Sequence, residues 1–289
     1  IQLGMAVLNN SDGSLVAIGS RRNHEGELQF NYATSINRHP GSIIKPVLDY
    51  GPAIEHLNWN TYTPLFDEET PYNKGGVIKN WNGKYSGIVT LKTGLSKSMN
   101  TTALQAFHAT TNEQKWDFAT SLGITPGNDN GKIFESASIG AFEGTNPKQM
   151  AGAYSAFANG GYYTEAHSVK SIKFKETNET KEIKYTRERV MKETTSYMIT
   201  DILFDVTTSS ANIRNTQVAS KTGTSSYDTE FLKKLGLSNN VIQDSWVATY
   251  NPDYTISFWY GYDELSKDHY TTMGAASTQR NIIQGMLTR

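Results

Sequence analysis

Strand-like patterning in this 289-residue chain is concentrated toward its two ends. Leu3 to Leu8 and Leu15 to Ile18 are short apolar runs separated by Asn9-Asn10-Ser11-Asp12-Gly13, whose Asp-Gly pair suits a tight reversal, so they predict a β-hairpin. Val218 to Thr224, Trp246 to Tyr250 and Thr255 to Tyr260 read as strands near the other end, with Asn251-Pro252-Asp253 as a turn. Between them Ala103 to Phe107, Trp116 to Leu122, Pro147 to Phe157 and Thr194 to Val206 carry helical periods. His167 to Phe174 alternates like one more strand, and Gln279 to Met286 reads as a closing amphipathic helix. Strands at both ends must share one sheet to bury their apolar faces. The expectation is an α/β (α+β) fold with an antiparallel sheet of about five strands, flanked by helices. Its sheet would come from about residues 1–20 and 162–289, and a mainly helical part from about 42–161.

Residues 21–41 are polar and irregular and lead into Arg38-His39-Pro40-Gly41-Ser42-Ile43-Ile44-Lys45-Pro46. A helix is expected to start near Ser42, because Pro40 and Gly41 are poor helix formers while Ile43 to Leu48 is apolar enough to be buried. Gly51-Pro52 should end or kink it early. At a spacing of i, i+3, Ser42 and Lys45 share a face. A serine hydroxyl is a weak nucleophile until a neighbour takes its proton, and a desolvated lysine can be neutral enough to do so. The start of a helix adds partial positive charge where an oxyanion would form.

A lone Ser-x-x-Lys is more often a solvated helix face than a catalytic pair, so the case needs further residues. Ser98-Met99-Asn100 and Lys221-Thr222-Gly223-Thr224 supply them. Ser-x-Asn occurs at Ser35, Ser98, Ser210 and Ser238, and order and placement favour Ser98, which falls between two helices after a Thr90-capped turn. Lys-Thr-Gly occurs twice; the copy at Lys92 falls within a short helix and reads as a solvated lysine beside a tolerated glycine. In a strand, Thr222 and Thr224 would share one face and Lys221 and Gly223 the other, so two hydroxyls could bind a carboxylate while the glycine admits a close neighbour.

Ser-x-x-Lys, Ser-x-Asn and Lys-Thr-Gly in this chain order resemble the signature set of penicillin-binding proteins and serine β-lactamases. The wider context, Arg38-x-Pro40-Gly41-Ser42-x-x-Lys45-Pro46 and Asp244-Ser245-Trp246 after the third motif, is most similar to the transpeptidase domain of class A penicillin-binding proteins. Asn80-Trp81, Phe142-Glu143-Gly144-Thr145, Met150-Ala151-x-Ala153-Tyr154 and Phe157 to Gly161 extend the likeness along nearly the whole chain, 1–289 as one domain. The resemblance implies that Ser42 attacks the carbonyl of the penultimate D-alanine of a peptidoglycan stem peptide and that Lys45 takes its proton. Ser98 with Lys221 would pass a proton to the leaving D-alanine. Asn100 would hold the substrate amide, Thr222 and Thr224 its carboxylate, and the backbone N–H groups of Ser42 and Thr224 the oxyanion. Gly223 would let another element approach. β-Lactam antibiotics would acylate the same serine, and no cofactor or metal is implied. The rivals are a serine β-lactamase or D,D-carboxypeptidase and, in another class, a non-catalytic penicillin- or peptidoglycan-sensing domain. Class A β-lactamases carry a deacylating glutamate in Glu-x-x-Leu-Asn, which Glu113, Glu135, Glu143 and Glu165 all lack.

Composition narrows the partners. A formal net charge of −1 argues against nucleic acid, and 37% hydrophobic residues suffice for a real core. There is no cysteine, hence no disulfide or thiolate metal site. The six histidines are scattered and neither Gly-x-Ser-x-Gly nor His-Glu-x-x-His occurs. No apolar run approaches the roughly 20 residues of a membrane span. Because Ile1 opens inside a strand pattern, the chain is expected to be a soluble fragment of a membrane-anchored, extracytoplasmic parent with a glycosyltransferase domain. The stretch Ser225 to Gln243 exceeds the needs of a hairpin and could fold over the site.

Overall fold

The structure is a computed structural model, and it describes residues 1–21, 30–128, 130–210 and 218–287. Five long strands form the main sheet: β1 (Gln2–Asn9), β2 (Leu15–Ser20), β3 (Ala219–Ser226), β4 (Val241–Tyr250) and β5 (Tyr254–Gly261). Their order is β3-β4-β5-β1-β2, and each adjacent pair is antiparallel. The two-residue strand Thr271–Thr272 adds to the end of β4. Both ends of the chain therefore share one sheet, as expected. The predicted turn closes β4 onto β5, with the Asn251 amide donating to the Tyr254 carbonyl at 3.0 Å.

Alternation divides the sheet into two buried faces. Trp246, Ala248, Tyr250 and Trp259 join the main core, whereas Val247, Ile256 and Phe258 form a second cluster with Ile283. Eight α-helices lie among the described residues: α1 (Gly51–Leu57), α2 (Leu91–Ser96), α3 (Asn100–Ala109), α4 (Asn112–Ser121), α5 (Pro147–Ala158), α6 (Glu193–Ser210), α7 (Thr229–Leu235) and α8 (Met273–Met286). The α8 helix starts six residues before its predicted first residue, Gln279, and lays Ala276, Arg280, Ile283 and Gln284 inward at helical spacing. None of the described helices is long and apolar enough to cross a membrane.

Of the two outcomes expected at Gly51-Pro52, an early end or a kink, the end does not occur, and the helical path runs to Leu57. It does so by changing winding. Gly41–Ile44 is a 3₁₀ turn, Pro46–Tyr50 a π-turn in which the Gly51 amide reaches the Pro46 carbonyl, and α1 follows. Pro52 then falls in the first turn of α1, where its missing N–H leaves no bond unmade.

Two other expectations need correcting. The predicted strand His167 to Phe174 is broken: His167 forms an isolated bridge to Ser14, and Ser171–Lys173 pairs with the exposed Thr180–Glu182, the residues between having no core beneath them. Residues 57–89, expected to be loop, contain two small ladders, Pro64–Asp67 with Gly87–Thr90 and Thr70–Pro71 with Val77–Ile78. The lead-in residue Gln217 and the Asn212 of the Ser210 motif lie outside the described residues.

Candidate active site

Ser42 and Lys45 lie at the 3₁₀ start of this helical path, where the Lys45 amide bonds to the Ser42 carbonyl. At three residues per turn their side chains eclipse, which brings them closer than an α-helix would. Gly41 makes the entry possible: its φ is +58°, and a Cβ there would collide with the Thr224 backbone of β3. Gly223 serves the same junction from the other side, since a Cβ on it would meet the Pro40 carbonyl and Ile43. The nucleophile's turn is thus pressed onto the third motif backbone to backbone. From behind, the buried Tyr154 hydroxyl of α5 donates to the Ile43 carbonyl at 2.7 Å.

The Lys45 side chain is fully buried. Its Nζ donates to Asn100 Oδ1 at 2.7 Å, to the Ser98 carbonyl at 2.8 Å and to the Met99 carbonyl at 3.2 Å, with Ser98 Oγ at 3.4 Å. Burial pushes this amine down to about 7, against the opposing pull of Asp49 one turn along. An amine titrating there exists in both forms near neutrality, as a general base requires. Ser42 Oγ has no hydrogen-bond partner among the described residues.

Ser98 occupies the turn between α2 and α3, with Asn100 as the first residue of α3, so the expected connection between helices is present. Both residues are half-buried. Ser98 has φ +55°, a left-handed conformation that costs a serine about 1–3 kcal/mol. The reward is position: Lys221 Nζ from β3 donates to Ser98 Oγ at 2.8 Å, so one hydroxyl sits between two lysine amines. Lys221 is buried too, and its amine is driven far below the usual lysine range, first by burial, then by the positive charges of Lys45 and Arg280.

A network absent from the sequence reading braces this turn. Asp67 accepts hydrogen bonds from Thr101 Oγ1 and Asn80 Nδ2, both at 2.6 Å, and from the Ser86 amide at 2.7 Å. Burial works to raise its pKa, yet these donors together hold the carboxyl below the usual range. Asn80 Oδ1 in turn accepts from the Asn100 amide at 2.8 Å. The Asn100 side chain bridges Lys45 Nζ and the Lys79 carbonyl, so it orients the lysine as well as facing the cleft. The only sequence signal for this brace was Asn80-Trp81; nothing marked Asp67.

Ser42, Ser98, Asn100, Thr222, Gly223 and Thr224 all line one cleft of about 780 Å³, and Lys221 reaches it through Ser98. All eight candidate residues therefore converge. Ser225, Ser226 and Gln243 line it as well, but the interior of the predicted covering stretch does not: it folds as α7, anchored by the buried Leu232. The second Lys-Thr-Gly lies elsewhere. Lys92, expected to be a solvated lysine, is partly exposed but bonds Asp201 at 2.8 Å and Asp205 at 2.9 Å on α6. Behind the third motif the buried Asp244 accepts from Ser225 Oγ at 2.6 Å and Trp259 Nε1 at 2.8 Å, while Trp246 Nε1 donates to the His39 carbonyl at 2.9 Å. Among the described residues, no group of three or more His, Asp or Glu side chains is placed to hold a metal ion.

The family profile of the penicillin binding protein transpeptidase domain matches residues 3–284. The chain belongs to this family. It is 39% identical over 271 residues to penicillin-binding protein 1A/1B of Bacillus subtilis, covering 91% of the chain and 29% of that protein. It is 32% identical over 279 residues to penicillin-binding protein 1A of Streptococcus pneumoniae, covering 91% of the chain and 38% of that protein. The chain thus spans well under half the length of these relatives. Among solved structures, penicillin-binding protein 1A of Haemophilus influenzae superposes with a TM-score of 0.79 at 20% identity, covering 99% of this chain and 47% of that one. The penicillin G acyl-enzyme complex of penicillin-binding protein A from M. tuberculosis gives 0.77 at 17% identity, covering 98% and 74%. The expected fold, an antiparallel sheet of about five strands flanked by helices, is the fold of penicillin-binding transpeptidase domains.

Proposed function

We propose that this chain is a serine D,D-transpeptidase domain that cross-links peptidoglycan stem peptides through an acyl-enzyme on Ser42. The observation that carries the reading is the hydroxyl of Ser98 held between Lys45 and Lys221, in the cleft that Ser42 lines. Ser42 Oγ attacks the carbonyl of the penultimate D-alanine as its proton passes to neutral Lys45. The amides of Ser42 and Thr224 stabilise the oxyanion, each such donor being worth about 3 kcal/mol in serine enzymes. The C–N bond then breaks, Ser98 protonates the departing D-alanine amine, and Lys221 or Lys45 returns a proton to Ser98. The amine of a second stem peptide resolves the ester by the reverse path. Strand β3 is an edge of the sheet, so an extended peptide can pair with its free side.

β-Lactams enter the same path: the strained ring amide takes the place of the peptide bond, and its amine stays tethered in the cleft. In the parent protein we place the domain outside the cytoplasmic membrane, anchored through segments beyond this chain and accompanied by a glycosyltransferase domain. Residues 1–289 act as one unit, because the site draws on both the sheet and the helical part.

The rival β-lactamase needs a carboxylate to hold and deprotonate water beside the ester. Among the described residues, no Asp or Glu lines the cleft. Intact-mass spectrometry after incubation with penicillin tests both points. The expected result is one adduct, mapped to Ser42, that persists for many minutes. An adduct that survives Ser42→Ala overturns the assignment, and turnover of many penicillins per second would make the chain a β-lactamase.

A further inference from the structure

Asp49 follows Lys45 by four residues, within the π-turn, and none of the three motifs includes it. It is fully buried, and neither of its side-chain oxygens has a hydrogen-bond partner among the described residues. A buried carboxylate without donors is costly, so burial drives its pKa well above the usual range. Two cations pull it back, Lys45 and Lys115.

Lys115 comes from α4, which lays Lys115, Phe118 and Ala119 inward. A Cβ on Gly51 would collide with the Phe118 ring, so this face of α4 lies against the turn that carries Asp49. Lys115 is only 5% exposed, yet its surroundings favour a cation. Its Nζ donates to the Phe107 carbonyl at 2.7 Å and the Thr110 carbonyl at 2.5 Å, at the negative end of the α3 dipole, and lies 4.2 Å from the centre of the Phe107 ring. Burial lowers its pKa to about 8, so it keeps its proton through the range in which Lys45, lowered to about 7, gives up its own. The other titratable neighbour is Tyr50, which stays neutral: burial, with Asp49 adding to it, raises its pKa, and its hydroxyl lies 2.9 Å from Thr102 Oγ1 of α3.

We infer that Lys115 and Asp49 form a charge relay behind the base: the Lys115 ammonium keeps Asp49 ionised, and ionised Asp49 stabilises the ammonium that Lys45 becomes on taking the Ser42 proton. Neither residue lines the cleft, so both are positioning residues. The inference rests on the acyl-transfer reading and names what sets the strength of its base.

The relay has a sign that a direct effect lacks. Like charges repel, so loss of Lys115 acting directly would make Lys45 easier to protonate and move the acid limb of the acylation profile to higher pH. Through Asp49 the direction reverses. Without Lys115 the buried carboxyl takes up a proton, Lys45 loses its counter-charge, and the limb moves to lower pH.

Penicillin acylation of Ser42, followed by intact mass from pH 5 to 9, reads that limb. Lys115→Gln, which keeps a donor for the two carbonyls but not the charge, and Asp49→Asn should each move it down by about one pH unit, the low end of the effect of one opposite charge. Combining them should add no further downward movement. A limb that stays in place while the rate falls at every pH overturns the inference, because merely structural residues would act that way. So does an upward shift in Lys115→Gln, or a second full shift in the double variant. If Asp49→Asn fails to fold, the direction of the shift in Lys115→Gln decides alone. A wild-type chain that is acylated at Ser42 with a profile flat from pH 5 to 8 leaves the acyl-transfer reading standing and overturns this inference. If Ser42 is not acylated at all, both fall.

Discussion

The two Lys-Thr-Gly segments share a tripeptide and nothing else. At Lys92 it winds into α2, and the lysine reaches across to two aspartates of α6, whose hydrogen bonds raise its pKa further above the ordinary value. At Lys221 it lies in edge strand β3, where the lysine is buried, has no acidic partner among the described residues, and is driven the other way. One lysine is locked as a cation; the other can gain and lose a proton. The comparison teaches that a short motif acquires chemistry from the backbone period that presents it and from the charges left out around it. In β3 the alternation sends Lys221 toward Ser98 and leaves Gly223 against the nucleophile's turn. In a helix the same three residues point around a cylinder and cannot form a wall.

The contrast can be broken experimentally, and the largest effect is expected at the lysine that faces Lys221 across Ser98. Lys45→Arg keeps the positive charge but cannot give up its proton. Penicillin acylation should fall about 10⁴-fold, the upper range for a lost general base; a rate near wild type in stopped-flow or quench assays would remove Lys45 from the role of base.

Lys221→Met, which fills the same buried space without an amine, should cost about 10²–10³-fold in acylation while circular dichroism shows the fold intact. The matched change Lys92→Met should leave the rate within about threefold. If the two variants lose the same amount, the distinction drawn between the segments is wrong.

Acylation should also decline as pH falls. Lys45 is lowered to about 7, so below that value the neutral fraction, and with it the rate, drops by about tenfold per pH unit. Above it the rate should level off until another group titrates. A profile flat from pH 5 to 8 would mean that the amine is not the base, whereas Lys92→Met should leave the profile unmoved.

The smallest effect concerns stability. Lys92 with Asp201 and Asp205 joins α2 to α6 at partly exposed positions, so Lys92→Met should cost about 1 kcal/mol or less, read as a small fall in melting temperature. A large fall would show that this junction holds up the turn carrying Ser98.

The eight residues proposed for the site could be named from the sequence, because each lies in a short stretch whose order is informative, and the structure brings them together. The sheet was legible because two-residue alternation survives at both ends. What escaped had no local signature. Asp67 braces the Ser98 turn from the strand Pro64–Asp67, and only folding brings it to Asn80 and Thr101. Arg280 reads as one more charge on an amphipathic helix until that helix is laid against β3. The helix at Gly51-Pro52 misled because two helix-breaking residues absorb their own defect when the winding changes to a π-turn. His167 to Phe174 misled in the opposite sense: alternation needs a surface to lie on, and none is there.

The strand order of the sheet bears on the timing of synthesis and assembly. Within this chain the hairpin β1–β2 is made before the rest of the sheet, yet β1 also pairs with β5, the last of the five long strands in chain order. More than 200 residues must therefore emerge before β1 finds its second neighbour, and such distant pairings form slowly. Ser42, Lys45, Ser98 and Asn100 are all translated before β3 exists, so a nascent or truncated chain carries two motifs with no third to face them. Reactivity toward acyl donors should then switch on only when the chain is complete to about the end of β5. A growing polypeptide would be protected from acylation until it could use the reaction.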